Sequence, residues 1–329
     1  MLKRRTKQNA AGSSIMNNTF DIYVDSAANL TDEMVASTGI KVISFTYSVN
    51  GQIKKCYDSS IPFKKIAKEY YEQLRQGADI KTSLVCEADF TEAMTPSLEN
   101  GRDVLLITIT QGLSGTYAQA LKAQAALKEK YPDRGIYVID SCNASLGEGM
   151  LALGVAHLRD MGESAEVCAK WAEDNRYKIN SYVTVNDLKY LRKSGRVSTI
   201  VAVAGTILNI KPMLKADGGS PATLAVYAKE RGRKKSIDAL LKAFTENVIN
   251  PETQTIAITH CDCEDEANEL AERLKALGAK DIVIEYYDLC TGSHVGPGTI
   301  ALFFTGKDRL AHAKTAETQP KGRTIFQRN

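Results

Sequence analysis

Several kinds of chemistry leave recognisable motifs in a sequence, and most of those motifs are missing from these 329 residues. The phosphate loop GxxxxGK[ST] and the dinucleotide motif GxGxxG do not occur, so we expect no nucleotide cofactor. The zinc-protease motif HExxH is also missing. No apolar run is long enough to span a bilayer, and we expect no stable membrane insertion. The net charge of +3 is too small to indicate a nucleic acid partner.

Histidine is scarce, with four residues, and the cysteines form no recognisable framework. The seven cysteines have no CxxC spacing, which favours reduced thiols in a cytoplasm over a disulfide framework. His260-Cys261-Asp262-Cys263 groups the residue types that bind metals, but no second cluster accompanies it. We interpret this run as a packed strand end and expect no metal site.

The length and composition are typical of a globular protein with two domains, because 43% of the residues are apolar and 25% are charged. Residues 20–162 contain successive strand-then-helix units, which predict an α/β domain with a parallel sheet. Residues 163–306 mix strands and helices without strict alternation and predict an α+β domain. The basic ends, residues 1–19 and 307–329, are predicted to be disordered.

The stretch Asp103–Lys128 organises the first domain. Val104–Ile109 is an apolar, β-branched run that predicts a strand buried on both faces. Residues from Tyr117 onward have helical spacing, and the turn 111–116 between them contains two glycines. A strand that enters a helix through such a turn brings free N–H groups and the positive end of the helix dipole together.

Ser114 adds a hydroxyl group to that turn. The turns at Ser26 and Ser141 also follow predicted parallel strands, so all three are expected at the carboxyl edge of the sheet, where ligands bind. A plain helix cap remains an alternative role for Ser114, since serine is common at that position.

Two further stretches carry specific predictions. Lys41–Val49 alternates like one half-buried strand, and Asn50-Gly51 after it is typical of a hairpin turn. Residues 292–298 are predicted to form a glycine-rich loop that brings His294 and backbone groups close to a ligand.

The combination of Ser114 and His294 leaves two classes of function open. Gly112-Leu113-Ser114-Gly115 resembles a nucleophile elbow, which would suit a serine hydrolase or acyltransferase with His294 as base. That motif, however, requires glycine where Thr116 stands. Hydroxyls, N–H groups and an imidazole suit a carboxylate or phosphate ligand equally well.

Ordered motifs extend from about Asp21 to Phe304. In chain order they are Val24-Asp25-Ser26, Thr82-Ser83, Gly112-Leu113-Ser114-Gly115-Thr116-Tyr117, Asp140-Ser141, Leu188-Lys189-Tyr190-Leu191-Arg192-Lys193-Ser194-Gly195-Arg196, Lys211-Pro212 and His294-Val295-Gly296-Pro297-Gly298. Together they resemble the DegV family of bacterial fatty acid-binding proteins. One departure is Leu84-Val85-Cys86, which stands where the family usually has Gln-Pro-Ser, and it weakens any role for Ser83.

The resemblance implies a cytoplasmic two-domain carrier without catalysis of its own, with a long-chain fatty acid buried between the domains. The family's carboxylate contacts match Thr82, Ser114 and His294. A separate fatty acid kinase, related to dihydroxyacetone kinases, would then convert the acid to an acyl phosphate for phospholipid metabolism.

Physical considerations extend this set of ligand contacts. N–H groups near Gly115 can add hydrogen bonds to a buried carboxylate, which needs them. Ser26 and Ser83 are further candidate contacts. Lys193 and Arg196 form a basic patch that either contacts the ligand or a partner, or is simply a solvated helix face.

Two apolar stretches are candidates for the wall of a lipid tunnel, with plain core packing as the alternative. Their residues are Met150, Leu151, Leu153 and Val155 in the first, and Ile200, Val201, Val203, Ile207 and Leu208 in the second.

Overall fold

The computed structural model describes residues 20–196 and 209–310. The predicted extension 1–19, most of the predicted tail and the candidate tunnel wall 200–208 lie outside the described residues.

The described elements follow each other in mixed order. The strands are β1 (Phe20–Asp25), β2 (Lys41–Ile43), β3 (Thr46–Val49), β4 (Gln52–Lys55), β5 (Ile80–Ser83), β6 (Asp103–Thr108), β7 (Ile136–Asp140), β8 (Ile179–Thr184), β9 (Ile210–Ala216), β10 (Leu224–Arg231), β11 (Thr255–His260), β12 (Asp281–Tyr286) and β13 (Ile300–Thr305). The helices are α1 (Asp32–Thr38), α2 (Phe63–Arg75), α3 (Glu87–Glu99), α4 (Thr116–Lys130), α5 (Leu146–Asp160), α6 (Ala165–Asn175), α7 (Leu188–Ser194), α8 (Arg233–Asn247), α9 (Glu264–Lys275) and α10 (Leu289–Val295). Within the described ranges, none of these helices has both the length and the apolar character that crossing a membrane requires.

A four-stranded parallel sheet in the order β2-β1-β6-β7 confirms the predicted α/β architecture. Its central strand β6 is buried on both faces, as its sequence predicts. Val104 and Leu106 pack with residues of α3 and α4, whereas Leu105 and Ile107 pack with residues of α5 and α6. The alternation of a β-strand therefore divides one apolar run between two core layers.

A six-stranded sheet in the order β10-β9-β8-β13-β11-β12 forms the second part of the fold. Only β11 and β12 pair in parallel among its described neighbours, in keeping with the predicted mixed α+β character. Helices α8 and α9 cover one face of this sheet. Helix α6 packs on the parallel sheet although it follows residue 162, and the domain boundary near that residue stays a prediction.

The prediction of one strand over Lys41–Val49 is wrong, because two strands in different sheets occupy that stretch. β2 pairs with β1 in the parallel sheet, whereas β3 joins an antiparallel sheet in the order β4-β3-β5. The chain changes sheets at Phe45, whose N–H donates to Ser26 and whose carbonyl accepts from Cys56. The hairpin turn at Asn50-Gly51 is confirmed, with positive φ at both residues.

The predicted loop over residues 292–298 is wrong as far as Val295, since Leu289–Val295 forms the short helix α10, and it is confirmed only for residues 296–298. The Asp288 side chain caps this helix by accepting the Thr291 N–H at 2.8 Å. Glycine is favoured at position 292 of the helix, because the Cβ of any other residue would lie 1.8 Å from the hydroxyl oxygen of Tyr71. Glycine at this position thus permits close packing rather than a loose loop.

A carboxyl group without a protein partner lies in the core. Glu148, in the first turn of α5, is completely buried, and neither of its oxygens has a hydrogen-bond partner among the described residues. Burial raises the pKa of Glu148 well above its ordinary value, and the neighbouring Asp25, Asp288 and Asp140 raise it further. The folded protein therefore keeps this carboxyl protonated over a wide pH range.

Replacing Glu148 by glutamine should change how stability depends on pH. A raised folded-state pKa gives stability that is present below the unfolded pKa and lost as pH rises, by up to about 1.4 kcal/mol per pH unit. The free energy of unfolding of Glu148→Gln, relative to wild type, should therefore increase between about pH 5 and pH 8. Urea unfolding at several pH values measures it.

The exposed Glu129 on α4 provides the matched control, since Glu129→Gln should shift stability little at any pH. A difference between Glu148→Gln and wild type that is constant over this pH range would contradict the protonated carboxyl.

Candidate ligand-binding site

A cavity of about 260 Å³ lies where the parallel sheet, the small antiparallel sheet and the six-stranded sheet meet. The β6–α4 turn contributes Ser114 and Gly115, β5 contributes Thr82, and α10 contributes His294. The four residues proposed from sequence as carboxylate contacts therefore line one cavity, although they come from three different elements.

The edge of the parallel sheet holds the β6–α4 turn in place through buried carboxylates. Asp25, at the end of β1, accepts the N–H of Ile109 at 2.9 Å. Asp140, at the end of β7, accepts the N–H of Gln111 at 3.3 Å. The turns after β1, β6 and β7 thus meet at one sheet edge, as the sequence predicts for parallel strands.

Ser114 serves the helix and the cavity together. Helix α4 begins at Thr116, with Gly115 as its cap residue. The Ser114 hydroxyl lies 2.8 Å from the hydroxyl of Thr116 and accepts the N–H of Thr116 at 3.3 Å. The alternative of Ser114 as the plain helix cap is therefore wrong, because Gly115 occupies the cap position and the Ser114 hydroxyl binds the first residue of the helix while it lines the cavity.

A hydrogen bond joins two parts of the chain that are 212 residues apart, because the Thr82 hydroxyl lies 3.2 Å from Nε2 of His294. Burial, together with the nearby positive charge of Arg196, lowers the pKa of His294 to about 4. The imidazole is therefore neutral near pH 7, and it offers one donor and one acceptor rather than a positive charge.

The catalytic pair required by the hydrolase alternative is not formed. Among the described residues, the hydrogen bonds of the Ser114 hydroxyl go to Thr116, and that of the His294 imidazole goes to Thr82. A base with its pKa near 4 would also be poorly matched to proton abstraction at neutral pH. This geometry lends no support to Ser114 and His294 as nucleophile and base.

Arg196 is the one residue with a full charge among the described residues that line the cavity. Arg196 follows α7, which is capped at its C-terminal end by Gly195 with a positive φ of 66°. Arg196 also lines a neighbouring groove, so it stands at the boundary between the two spaces.

The other sequence-predicted contacts do not line the cavity. Ser26 instead accepts the backbone N–H of Phe45 at 3.0 Å. Ser83, at the end of β5, is exposed. Lys193 forms an ion pair of 2.9 Å with Asp79 and lines the neighbouring groove.

The first candidate tunnel wall proves to be core or to border a separate groove. Leu151 and Val155 are completely buried against the parallel sheet, whereas Met150 and Leu153 line a groove elsewhere on the surface. The hypothesis is therefore wrong for this stretch, and the alternative of plain packing is correct for Leu151 and Val155.

Sequence reasoning missed the contacts that position α10. Asn29 donates to the carbonyl of Tyr286 at 2.8 Å and accepts the N–H of Asp288 at 2.6 Å. Tyr70 and Tyr71, on α2, donate to the carbonyls of Leu289 and Tyr287, each at 2.8 Å. No local pattern signals such contacts, since their partners lie more than 200 residues away.

Sequence reasoning also missed Cys290, which lines the cavity. A prediction of helix in place of loop around His294 would have identified it. It lines the cavity four residues before His294, which places both on one face of α10. Burial raises the pKa of its thiol well above the ordinary range, and nearby Asp288 raises it further. The thiol is therefore protonated and suited to packing or hydrogen bonding.

Comparison with known proteins gives a consistent result. The family model described as "uncharacterised protein, DegV family" matches residues 19–307. A DegV domain-containing protein of Clostridium perfringens is 36% identical over 288 residues, which cover 87% of this chain and 97% of that protein.

Solved structures agree with the sequence matches. A fatty acid-binding DegV family protein from Thermus thermophilus superposes with a TM-score of 0.75 at 26% identity, over 87% of this chain and 98% of that one. A DegV lipid-binding protein from Thermotoga maritima gives a TM-score of 0.74 at 27% identity, over 88% and 99% of the two chains. With its fold, its motifs and these relatives in agreement, the chain belongs to the DegV family.

Proposed function

We propose that this protein binds a long-chain fatty acid in the cavity and presents its carboxylate to a separate kinase. The observation that carries the proposal is the Thr82–His294 pair, which lies with Ser114 on the wall of a largely apolar cavity. The fatty acid-binding relative from Thermus thermophilus and the lipid-binding relative from Thermotoga maritima support the same ligand class.

The head group requires hydrogen bonds more than it requires charge. A carboxylate removed from water loses several kcal/mol unless its oxygens find donors. The hydroxyls of Thr82 and Ser114, the neutral imidazole of His294 and the N–H groups at the start of α4 can supply them. Arg196 adds a positive charge at the cavity wall.

The tail accounts for most of the affinity. Burial of each CH₂ group contributes about 0.8 kcal/mol, so a long acyl chain outweighs its head group. Apolar side chains from several elements form the remaining walls, among them Phe45, Ile109, Val183, Leu224 and Phe303. The head group then determines orientation rather than total affinity.

Native mass spectrometry of the purified protein, followed by extraction and identification of the released lipid, tests the ligand class. We expect one fatty acid per chain. A protein that carries no lipid and takes up no added fatty acid would contradict the proposal.

Thr82→Val should weaken hexadecanoate binding by about tenfold to hundredfold, because it removes a hydrogen bond to a charged group worth about 1.5–3 kcal/mol. The affinity for hexadecanol, which lacks the carboxylate, should change much less. Displacement of a fluorescent fatty acid from delipidated protein measures both affinities.

Thr245→Val is the matched control, because the Thr245 hydroxyl donates to the helical carbonyl of Leu241 on the exposed side of α8. An equal loss of acid and alcohol binding in Thr82→Val would indicate a packing defect and would argue against a head-group contact.

Presentation to a kinase is the second part of the proposal. Lys189, Arg192, Lys193 and Arg196 form the α7 basic surface, and each has an exposed or largely exposed side chain. Such a surface suits an acidic partner, and complementary charge mainly increases the rate of encounter. The partner would supply the nucleotide site, since the chain contains no phosphate loop.

Arg192→Glu should slow ATP-dependent acyl phosphate formation with a cognate kinase about tenfold at low salt, with hexadecanoate affinity unchanged. Arg192 is chosen because it lies on the α7 basic surface without lining the cavity or the groove. The difference should shrink as salt rises. Equal rates for Arg192→Glu and wild type at low salt would remove this residue from the docking surface.

The proposed place of action is the cytoplasm, in phospholipid metabolism. All seven cysteines are present as free thiols, and five of them are buried. Reduced thiols are usual for a cytoplasmic protein.

A further inference from the structure

Beyond β13 the described chain continues to Leu310, and Arg309 in this short segment is almost completely buried, with 6% of its surface exposed. Its position lies outside the span 19–307 that matches the family model. Among the described residues, each hydrogen bond of its guanidinium goes to a backbone carbonyl. Arg309 therefore fixes the positions of backbone segments rather than neutralising a carboxylate.

The three carbonyls belong to segments from different parts of the fold. Arg309 donates to Cys142, after β7, at 3.0 Å, and to Arg176, after α6, at 3.1 Å. It also donates to Asp217, the first residue of the β9–β10 turn (residues 217–223). β7 lies in the parallel sheet, whereas β9 and β10 lie in the six-stranded sheet. Arg309 thus connects turns of the two sheets at one point.

The ring of Tyr177 adds to this junction. The guanidinium carbon of Arg309 lies 5.4 Å from the centroid of the ring, and that of Arg176 lies 5.5 Å from it. The Tyr177 hydroxyl donates to the carbonyl of Gly219, within the β9–β10 turn, at 3.1 Å. Contact with the ring restricts the orientation of the Arg309 guanidinium, so two side chains hold the turn together.

Hydrogen bonds within the β9–β10 turn make it move as one unit. The Asp217 carboxylate accepts the N–H groups of Gly219 and Thr223 at 3.0 Å and 2.8 Å. It also accepts the Thr223 hydroxyl at 2.7 Å, and the Asp217 N–H donates to the Thr223 carbonyl at 3.0 Å. A shift of Asp217 would therefore move Thr223 with it.

The far end of this turn packs against the β6–α4 turn that carries Ser114. The Ala222 carbonyl accepts the Thr110 hydroxyl at 2.8 Å. A Cβ at Gly112 would lie 2.1 Å from the same carbonyl oxygen, so the two backbones are in close contact. Ser114 stands two residues beyond Gly112, and Thr223 lines the cavity with it. The position of the Ser114 hydroxyl therefore depends in part on the β9–β10 turn.

We propose that Arg309 is a positioning residue for the fatty acid site, which holds the β9–β10 turn against the β6–α4 turn and keeps the Ser114 hydroxyl in place for the carboxylate. The inference rests on the proposed function, because it concerns the geometry of that site. Arg309 is not among the described residues that line the cavity, so it acts through these two turns. Lysine is a poor substitute, because a planar guanidinium presents its donors over a wider span than an ammonium group does.

The test measures the binding of hexadecanoate and hexadecanol to delipidated full-length protein. Arg309→Ala should weaken hexadecanoate binding about tenfold, through faster dissociation, because it displaces a hydrogen-bond donor to the carboxylate. Hexadecanol affinity should change much less, because the alcohol lacks the carboxylate. Stopped-flow displacement of a fluorescent fatty acid measures the dissociation rates. A general loss of stability would not produce this acid-selective loss.

Arg159→Ala is the matched control. Arg159 is similarly buried, with 5% of its surface exposed, and it donates to the backbone carbonyl of Thr38 at 2.6 Å. It lies on α5, outside the described lining of the cavity. Arg159→Ala should lower the free energy of unfolding and leave the hexadecanoate affinity of the folded protein unchanged. Arg309→Lys is the second variant if Arg309→Ala does not fold, and it should show a smaller acid-selective loss.

The outcomes separate this inference from the proposed function. If wild type binds no hexadecanoate, the proposed function fails and the inference fails with it. If wild type binds hexadecanoate and the folded Arg309 variant retains the wild-type affinity, only the inference is overturned. An equal loss of acid and alcohol binding, or an equal loss in Arg159→Ala, also overturns it, because either result would indicate general destabilisation. An acid-selective loss confined to the Arg309 variants supports it.

Discussion

The side chain of Asn29 connects the parallel sheet to the backbone just before α10, the helix that carries His294. It follows β1 in the parallel sheet, yet its amide contacts the backbone on both sides of Tyr287, just before α10. Its carbonyl oxygen also accepts the hydroxyl of Ser145 at 2.8 Å. A buried amide that lost these partners would leave several polar groups unsatisfied, each costing about 1–3 kcal/mol. The position of His294 therefore depends on Asn29, which is far from it in the sequence.

The burial of His294 determines the charge of the site. His294 is held in a place where a positive imidazole is unfavourable, and Arg196 reinforces this effect. The groups that can hydrogen-bond a head group, on Thr82, Ser114 and His294, are consequently uncharged near neutral pH, and Arg196 is the one cation among the described residues that lines both the cavity and the adjoining groove. Fixed hydrogen bonds orient a carboxylate without the desolvation cost of a fully buried ion pair.

Sequence patterns identified the features that depend on local periodicity and on parallel-strand topology. The buried strand β6 and the turn with Ser114 are of this kind, because alternation and turn chemistry are local. Two features depended on distant partners and were predicted wrongly. The chain changes sheets at Phe45 because Ser26 and Cys56 bind its backbone, and α10 forms around a glycine that fits against Tyr71. Both errors affect the site, because β3 pairs with the strand that carries Thr82 and α10 carries His294.

Under the proposed function, β5 with Thr82 and α10 with His294 would let the protein hold an acyl chain and still expose its carboxylate. The tail of the proposed ligand would lie among side chains of the surrounding sheets, whereas its head group would lie at a boundary shared with an open groove. Thr82 and His294 line both the cavity and the groove, so one hydrogen-bonded pair belongs to both spaces. In the proposed function, chemistry at the carboxylate would then proceed from the groove while the apolar chain stayed buried, and the larger part of the binding free energy would be retained.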